Sequence, residues 1–261
     1  MPVTKRSVEE LRKVLVDHKT WIESNGATGK RADLFEADLR RADLRQAYLY
    51  GANLAGTNLE KAKLHEATFD RAKLYGSNLT KAILTGATLR DAVLTGANLH
   101  TAYMTGTDLR RADFTGASLT STKLSEANFS GACLMRADLT GANLGRADLS
   151  AANLTGADLS NAYLAGAELR KALFNDAIMH KADLRRAKMS ETSLVGADLS
   201  GANLTGAYLL NADLSGANLT GANLSKADLS GVNLTGAKLI KANLTGARLH
   251  EVRGLPEISE E

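Results

Sequence analysis

The chain has 261 residues, 44% of them hydrophobic but only 5% aromatic, so alanine and leucine supply the apolar content and any core is assembled from small, similar pieces. Thirty-two basic and 29 acidic residues leave a formal charge of +3, too balanced for a dedicated nucleic-acid binder or an acidic mimic of one. The single cysteine, Cys133, excludes an intramolecular disulfide and a cysteine metal cluster and fits a reducing compartment.

The opening segment, MPVTKRSVEELRKVLVDHKTW, has no apolar h-region of a secretory signal. No stretch approaches the ~18 apolar residues of a membrane span, so the expectation is a soluble, cytoplasmic protein. Ser7 and Glu10 have the spacing of a capping box. Val8, Leu11, Val14, Leu15, His18, Trp21 and Ile22 fall on one helical stripe, and Gly26 is the expected stop. Residues 1–30 are therefore read as a lead-in with an amphipathic helix over 7–24. The helix lies on the first coil of the repeat region that begins at residue 31, with Ser7, Leu11, Leu15, Trp21 and Ile22 as the structural cap and Trp21 as its largest anchor. A partner or a membrane could use the same stripe. The polar face mixes signs (Glu9, Glu10, Arg12, Lys13, Asp17, Lys19), which argues against a membrane-surface helix.

From Leu34 a step of five lands on Leu, Phe or Met at every position to Leu249, giving 44 units without an insertion. The anchors that are not leucine are Phe69, Met104, Phe114, Phe129, Phe174, Met179 and Met189. Alanine stands two residues before the anchor in 38 of the 44 units; Thr57, Ser77, Thr107, Thr122, Thr192 and Val232 take its place in the others. Five residues advance a helix by about 500°, which sprays the anchors around the axis. On a straight strand an odd step sends successive anchors to opposite faces. The chain must therefore turn once per unit, always in the same sense. Within a unit the small residue and the anchor are two apart and share one face of a short extended stretch. The remaining three positions, rich in Asp, Asn, Ser, Thr, Gly, Arg and Lys, face outward or turn. Four right-angle turns close a square, which makes a parallel β-helix of about twenty residues per coil the natural arrangement. Neither its hand nor the number four follows from periodicity alone. No proline occurs between residues 3 and 255, as expected of coils that need their backbone donors.

The phrases ADLRRADLRQAYLYGANL and GANLTGANLSKADLSGVNL resemble the pentapeptide repeat family, whose units follow A(D/N)LXX. The resemblance runs unbroken over residues 31–249. It implies an all-β solenoid, a right-handed quadrilateral parallel β-helix of about eleven coils over 31–250, with the N-terminal helix as cap. At ~4.8 Å per coil the rod is roughly 50 Å long. A solenoid exposes a pairing edge at each end. The acidic tail over 251–261 offers Leu255 and Ile258 to cover the last coil and Pro256 to block strand addition. Some family members instead dimerise through their C-terminal coils, so a homodimer through that coil is the other expectation.

Chemistry is sparse. His65, His100, His180 and His250 are outward and on different coils, and no two histidines have metal-ligand spacing. Cys133 is outward, with no histidine near in sequence to activate it. The glycines serve turns rather than a phosphate-binding loop. The N-x-S/T triplets at Asn153, Asn203 and Asn218 are by-products of the repeat. No catalytic residue, metal site or cofactor is expected.

The outer surface remains. At twenty residues per coil, Arg41, Lys61 and Lys81 form one column. Arg71, Arg90, Arg110 and Arg111, interleaved with Asp70 and Asp91, form another group, readable as a salt-bridged face or as a docking patch for an acidic partner. The stretch NAYLAGAELRKALFNDAIMHKADLRRAKMSET departs most from the repeat. It sets Leu173 and Ile178 outward near Arg170, Lys171, Arg185 and Arg186, with Met135 and Val195 on the face of Leu173; exposed apolar residues ringed by charge can mark an interface.

A uniform rod without a pocket suits binding rather than catalysis. The expected function is a non-enzymatic protein–protein scaffold with an unidentified protein partner, and no membrane. The family resemblance supplies an alternative, since some members mimic B-DNA, bind DNA gyrase and protect it from quinolone-type drugs. Such mimicry needs a strongly negative surface, whereas residues 31–249 hold 25 basic and 21 acidic residues, a net of +4. Spread over eleven coils that is also weak for nucleic-acid binding.

Overall fold

The computed structural model describes residues 8–255. Helix α1, Val8–Glu23, carries Glu9 and Glu10 in its first turn, where they face the positive end of the helix dipole. Ser7, half of the expected capping box, lies outside the described residues. The helix closes with Gly26 N–H donating to the Trp21 carbonyl at 2.7 Å and Asn25 N–H to the Ile22 carbonyl at 3.0 Å. With Asn25 at φ 51°, this is a Schellman ending. Asn25 and the expected stop, Gly26 at φ 87°, are thus both left-handed.

From Asp33 onward one geometry repeats every five residues. The middle residue of each unit forms a parallel bridge with the residue twenty positions later, unbroken from Asp33–Asn53 to Asn233–Arg253. Four turns separate bridged residues, so each coil has four sides, named after their first residues: Asp33, Asp38, Asp43 and Tyr48. One bridging residue per side makes the walls of stacked rungs rather than of long strands.

The backbone accounting explains the five-residue phrase. Asn53 N–H donates to the Ala32 carbonyl at 3.0 Å, Leu34 N–H to Asn53 at 2.7 Å and Glu36 N–H to Ala55 at 2.9 Å, all between coils. Ala37 N–H closes the turn onto the Leu34 carbonyl at 3.0 Å. That uses four donors of five. Where the middle residue is Asp or Asn, the fifth, on the residue after the anchor, goes to that side chain two residues earlier, as from Thr115 to Asp113 at 2.9 Å, Thr155 to Asn153 at 3.0 Å and Ser160 to Asp158 at 2.8 Å. The Asp/Asn position, expected from sequence to face outward or turn, thus makes a local side-chain-to-backbone bond that holds the turn.

Every corner residue, two after its anchor, is left-handed: φ lies between 51° and 72° from Glu36 to Glu251. Glycine fills fewer than half of these corners, although it is the residue that adopts this conformation without steric cost. Arg, Lys and Glu fill most of the rest and are held there by the bonds on either side of the turn.

The anchors point inward. All of them from Leu34 to Leu239 are at most 5% exposed, each buried leucine contributing about 1.5–3 kcal/mol. Phe114 and Phe129, on adjoining sides of one coil, meet at 5.6 Å with their rings tilted by 59°, a favoured aromatic geometry. Where threonine replaces the inner alanine, its hydroxyl bonds to an anchor carbonyl of the previous coil: Thr57 to Leu34 at 2.8 Å, Thr122 to Leu99 at 2.9 Å, Thr192 to Leu169 at 3.0 Å. Ser77, equally buried, finds no partner for its hydroxyl.

The two ends differ. At the first coil Leu11, Val14 and Leu15 pack on the core, and His18 is wholly buried, whereas Trp21 and Ile22 remain half-buried. The expected largest anchor is thus not the deepest residue. The imidazole accepts a hydrogen bond from Ala32 N–H at 3.0 Å through Nδ1, which an indole, a donor only, cannot do. Trp21 stacks on that imidazole with ring centroids 5.7 Å apart. At the last coil Ile240, Leu249 and Leu255 are 50%, 39% and 41% exposed, and Ala242, Leu244, Ala247 and Val252 are half-buried. Pro256 and Ile258 lie outside the described residues.

Candidate interaction surface

The arginine group lies on the corner between the Tyr48 and Asp33 sides. Tyr50, Asp70, Arg71, Arg90, Asp91 and Arg111 line a shallow depression of about 240 Å³. Most of its charge is internally matched. The Asp70 carboxylate, nearly buried, accepts from Arg90 N–H at 2.9 Å and from Arg90 Nε at 2.8 Å. Arg110 forks onto Asp108 at 2.7 and 2.9 Å, and Arg111 onto Asp91 at 2.8 and 2.9 Å. The Arg111 hydrogen bond holds the Asp91 carboxyl below its usual range. Burial pushes Asp108 up, but the Arg110 side chain and N–H outweigh it and the net shift is downward. Arg71 makes no ion pair among the described residues; it sits 5.8 Å from the centre of the Tyr50 ring, a cation–π contact.

The apolar stretch is less gathered than its sequence. Leu173 stands on the Asp33 side and Ile178 on the Asp38 side, 40% and 44% exposed. Arg170 and Lys171, on the corner before Leu173, both reach Glu191, at 3.0 and 3.5 Å. Arg185 and Arg186 occupy the third corner past Leu173 and flank neither apolar residue, and Arg185 is clamped by Asp183 at 2.6 Å. Val195 and Met135 lie on the corner after the Asp33 side, one and two coils from Asn175 of the Leu173 unit.

A second concavity of about 510 Å³ lies along the seam between α1 and the first coil, lined by Leu11, Leu15, Val16, Ala47 and Tyr48 among others. The histidines serve local bonds, His100 Nδ1 to Thr120 Oγ1 at 2.6 Å and His180 Nδ1 to Ser200 Oγ at 2.9 Å. Cys133 Sγ lies 3.3 Å from Thr115 Oγ1. Among the described residues no His, Cys, Asp or Glu are grouped to hold a metal ion, and no helix is long and apolar enough to cross a membrane.

Overlapping matches to the family model described as pentapeptide repeats run from residues 32–71 to residues 217–253. The chain belongs to the pentapeptide repeat family. Pentapeptide repeat proteins fold as right-handed quadrilateral β-helices, and are generally non-catalytic structural or interaction proteins. No curated protein sequence matches this pentapeptide repeat chain. Similar solved structures include HetL, a pentapeptide repeat protein involved in heterocyst differentiation regulation from the cyanobacterium Nostoc sp. strain PCC 7120. It is 33% identical over 95% of this chain and 94% of that one, with a TM-score of 0.34. Trypsin-treated QnrB1, a plasmid-mediated fluoroquinolone resistance protein, is 23% identical over 77% and 88%, with a TM-score of 0.45. Rfr23 from the cyanobacterium Cyanothece 51142 is 35% identical over 42% and 63%, with a TM-score of 0.17.

Proposed function

We propose that this pentapeptide repeat protein is a non-enzymatic scaffold: an eleven-coil rod, capped at its N-terminal end by α1, that holds a protein partner against its outer face. One observation carries the reading. The interior is filled by anchors and small residues that leave it closed, while the outer positions, apart from the Asp and Asn residues that hold turns, vary from unit to unit around a backbone whose other donors are already used. Chemistry that can differ from unit to unit is therefore on the outside.

The arginine corner is the first face to test. Arg90 is a poor probe, because its reversal would set a carboxylate against the nearly buried Asp70. Arg71→Glu with Arg111→Glu alters the charge and leaves that pair intact. The full chain immobilised in a lysate of its source organism should retain one protein, identified by mass spectrometry, that the double variant releases at unchanged melting temperature. Retention of the same proteins by both would remove this corner from the proposal; retention of gyrase subunits would favour the drug-protection reading instead.

The open C-terminal coil supports a second element of the proposal. Its apolar residues, and the rungs at Lys238 and Asn243 that bridge no later residue among the described ones, are what a second copy, stacked end to end, would cover.

A further inference from the structure

Reading every twentieth residue along the Asp43 side gives Lys63, Ile83, Tyr103 and Lys123 on four consecutive bridged rungs. Ile83 and Tyr103 are 40% and 50% exposed. Lys81 stands on the corner two residues before Ile83. Several exposed cations of the rod are clamped, as Arg45 is on Asp43 and Arg185 on Asp183. Here Lys63, Lys81 and Lys123 make no ion pair among the described residues, while the carboxylates around them are engaged. Glu60 pairs with Lys61 at 3.0 Å, Glu66 accepts from Gln46 at 3.0 Å and meets His65 at 3.1 Å, and Glu126 faces Arg146 at 3.7 Å. The result is an Ile–Tyr pair with an uncommitted ammonium group at each end and a third beside it.

The spacing selects a shape of ligand. Three rung intervals of ~4.8 Å place Lys63 and Lys123 about 14 Å apart along the rod. An extended peptide puts residues i and i+4 on one face at nearly the same separation, about 13–14 Å, with i+2 between them. We propose that this side docks an extended segment of a protein partner, laid along the rod axis, in which two carboxylate residues four apart flank an apolar residue. The carboxylates pair with Lys63 and Lys123, the apolar side chain covers Ile83 and Tyr103, and Lys81 reinforces the charge at the edge. A nucleic acid fits less well. Past Lys123 the next rungs of this side are Asn143 and Tyr163, which carry no cation for further phosphates, and Ile83 offers no stacking plane.

The inference rests on the scaffold reading and names its face, so its test is independent of any captured protein. The full chain, isotope-labelled for NMR, is titrated with the peptide Gly-Glu-Ser-Leu-Ser-Glu-Gly and with a scrambled form, Gly-Ser-Glu-Glu-Leu-Ser-Gly. The ordered peptide should shift amides around Lys63, Ile83, Tyr103 and Lys123 and bind more tightly than the scramble. Lys63→Glu with Lys123→Glu, both at exposed positions, should weaken it by about tenfold and gain affinity for Gly-Lys-Ser-Leu-Ser-Lys-Gly. Equal binding of the scramble, shifts on another side, or tighter binding of an oligothymidylate at the same rungs would each overturn the proposal. Partner retention in the capture experiment would then still stand for the scaffold reading.

Discussion

His18 Nδ1 accepts the backbone N–H of Ala32 at 3.0 Å, so the one side chain of α1 that is fully buried among the described residues is tied to the backbone that opens the first coil. The bond requires Nδ1 unprotonated, and Nε2 faces the Tyr50 carbonyl without completing a hydrogen bond. Burial lowers the His18 pKa from its ordinary 6.5; the Tyr50 carbonyl works against this and the charge of Arg31 with it. A base with a depressed folded-state pKa stabilises the fold above its unfolded pKa and loses that contribution as pH falls through the folded value. Acidification below about 6.5 should therefore loosen α1 from the first coil. Trp21, the only tryptophan, stacks on His18 and reports the event by fluorescence. His18→Gln, which keeps an acceptor for Ala32 and does not titrate, should abolish the transition; its persistence would place the titrating group elsewhere.

Two buried hydroxyls at equivalent positions should respond oppositely to removal. Thr122 Oγ1 donates to the Leu99 carbonyl, and Thr122→Val should cost about 1 kcal/mol. Ser77 Oγ is buried without a partner, and Ser77→Ala should stabilise by roughly 1 kcal/mol. Urea denaturation of the two variants measures both; a destabilised Ser77→Ala would mean that the hydroxyl has a bonded partner such as water.

The corners predict a reversal of the usual glycine rule. Ala151 is held at φ 55°, so Ala151→Gly should stabilise by about 0.5 kcal/mol, the relief of left-handed strain exceeding the entropy cost of glycine. Gly96→Ala, with nothing within 4 Å of the added carbon, should lose a similar amount from φ alone. Gly231→Ala should lose more, since its new carbon would clash with Asn211 Oδ1, which would have to shift. Equal melting temperatures for the three variants and the parent would show that corner strain is absent.

At the other end, sedimentation equilibrium should find a dimer that Leu249→Glu converts to monomer. Leu249 is already 39% exposed in the isolated chain, so the variant should keep the parent melting temperature of the monomeric rod. A parent that stays monomeric at high concentration would leave the last coil uncovered by a second copy.

The core was legible because each unit repeats one inward decision: Leu34, Ala37 and Leu39 announce their burial by spacing alone. The faces were harder to read. Arg185 is only twelve residues from Leu173, yet twelve residues carry the chain past three corners, so closeness in sequence becomes distance around the rod. Arg90 and Asp70, twenty apart, are bonded neighbours. The Arg90–Asp70 and Arg111–Asp91 pairs follow from that step, and so does the Lys63–Ile83–Tyr103–Lys123 line, once residues are taken down a column instead of along the chain. At α1 the stripe was visible, but size ranked Trp21 above His18; the ability of imidazole to accept a backbone proton decided which went deepest.

The constant twenty-residue offset between bridged residues also fixes how such a rod can change length. Loss or duplication of twenty residues removes or adds a whole coil and leaves every outer column in line. A change of five keeps the interior equally well filled but rotates everything beyond it by a quarter turn. The lysines of one side would then continue into the residues of the next. A single slipped unit can thus redraw a binding face while the melting temperature hardly moves, so related rods of nearly equal stability can present unrelated surfaces to their partners.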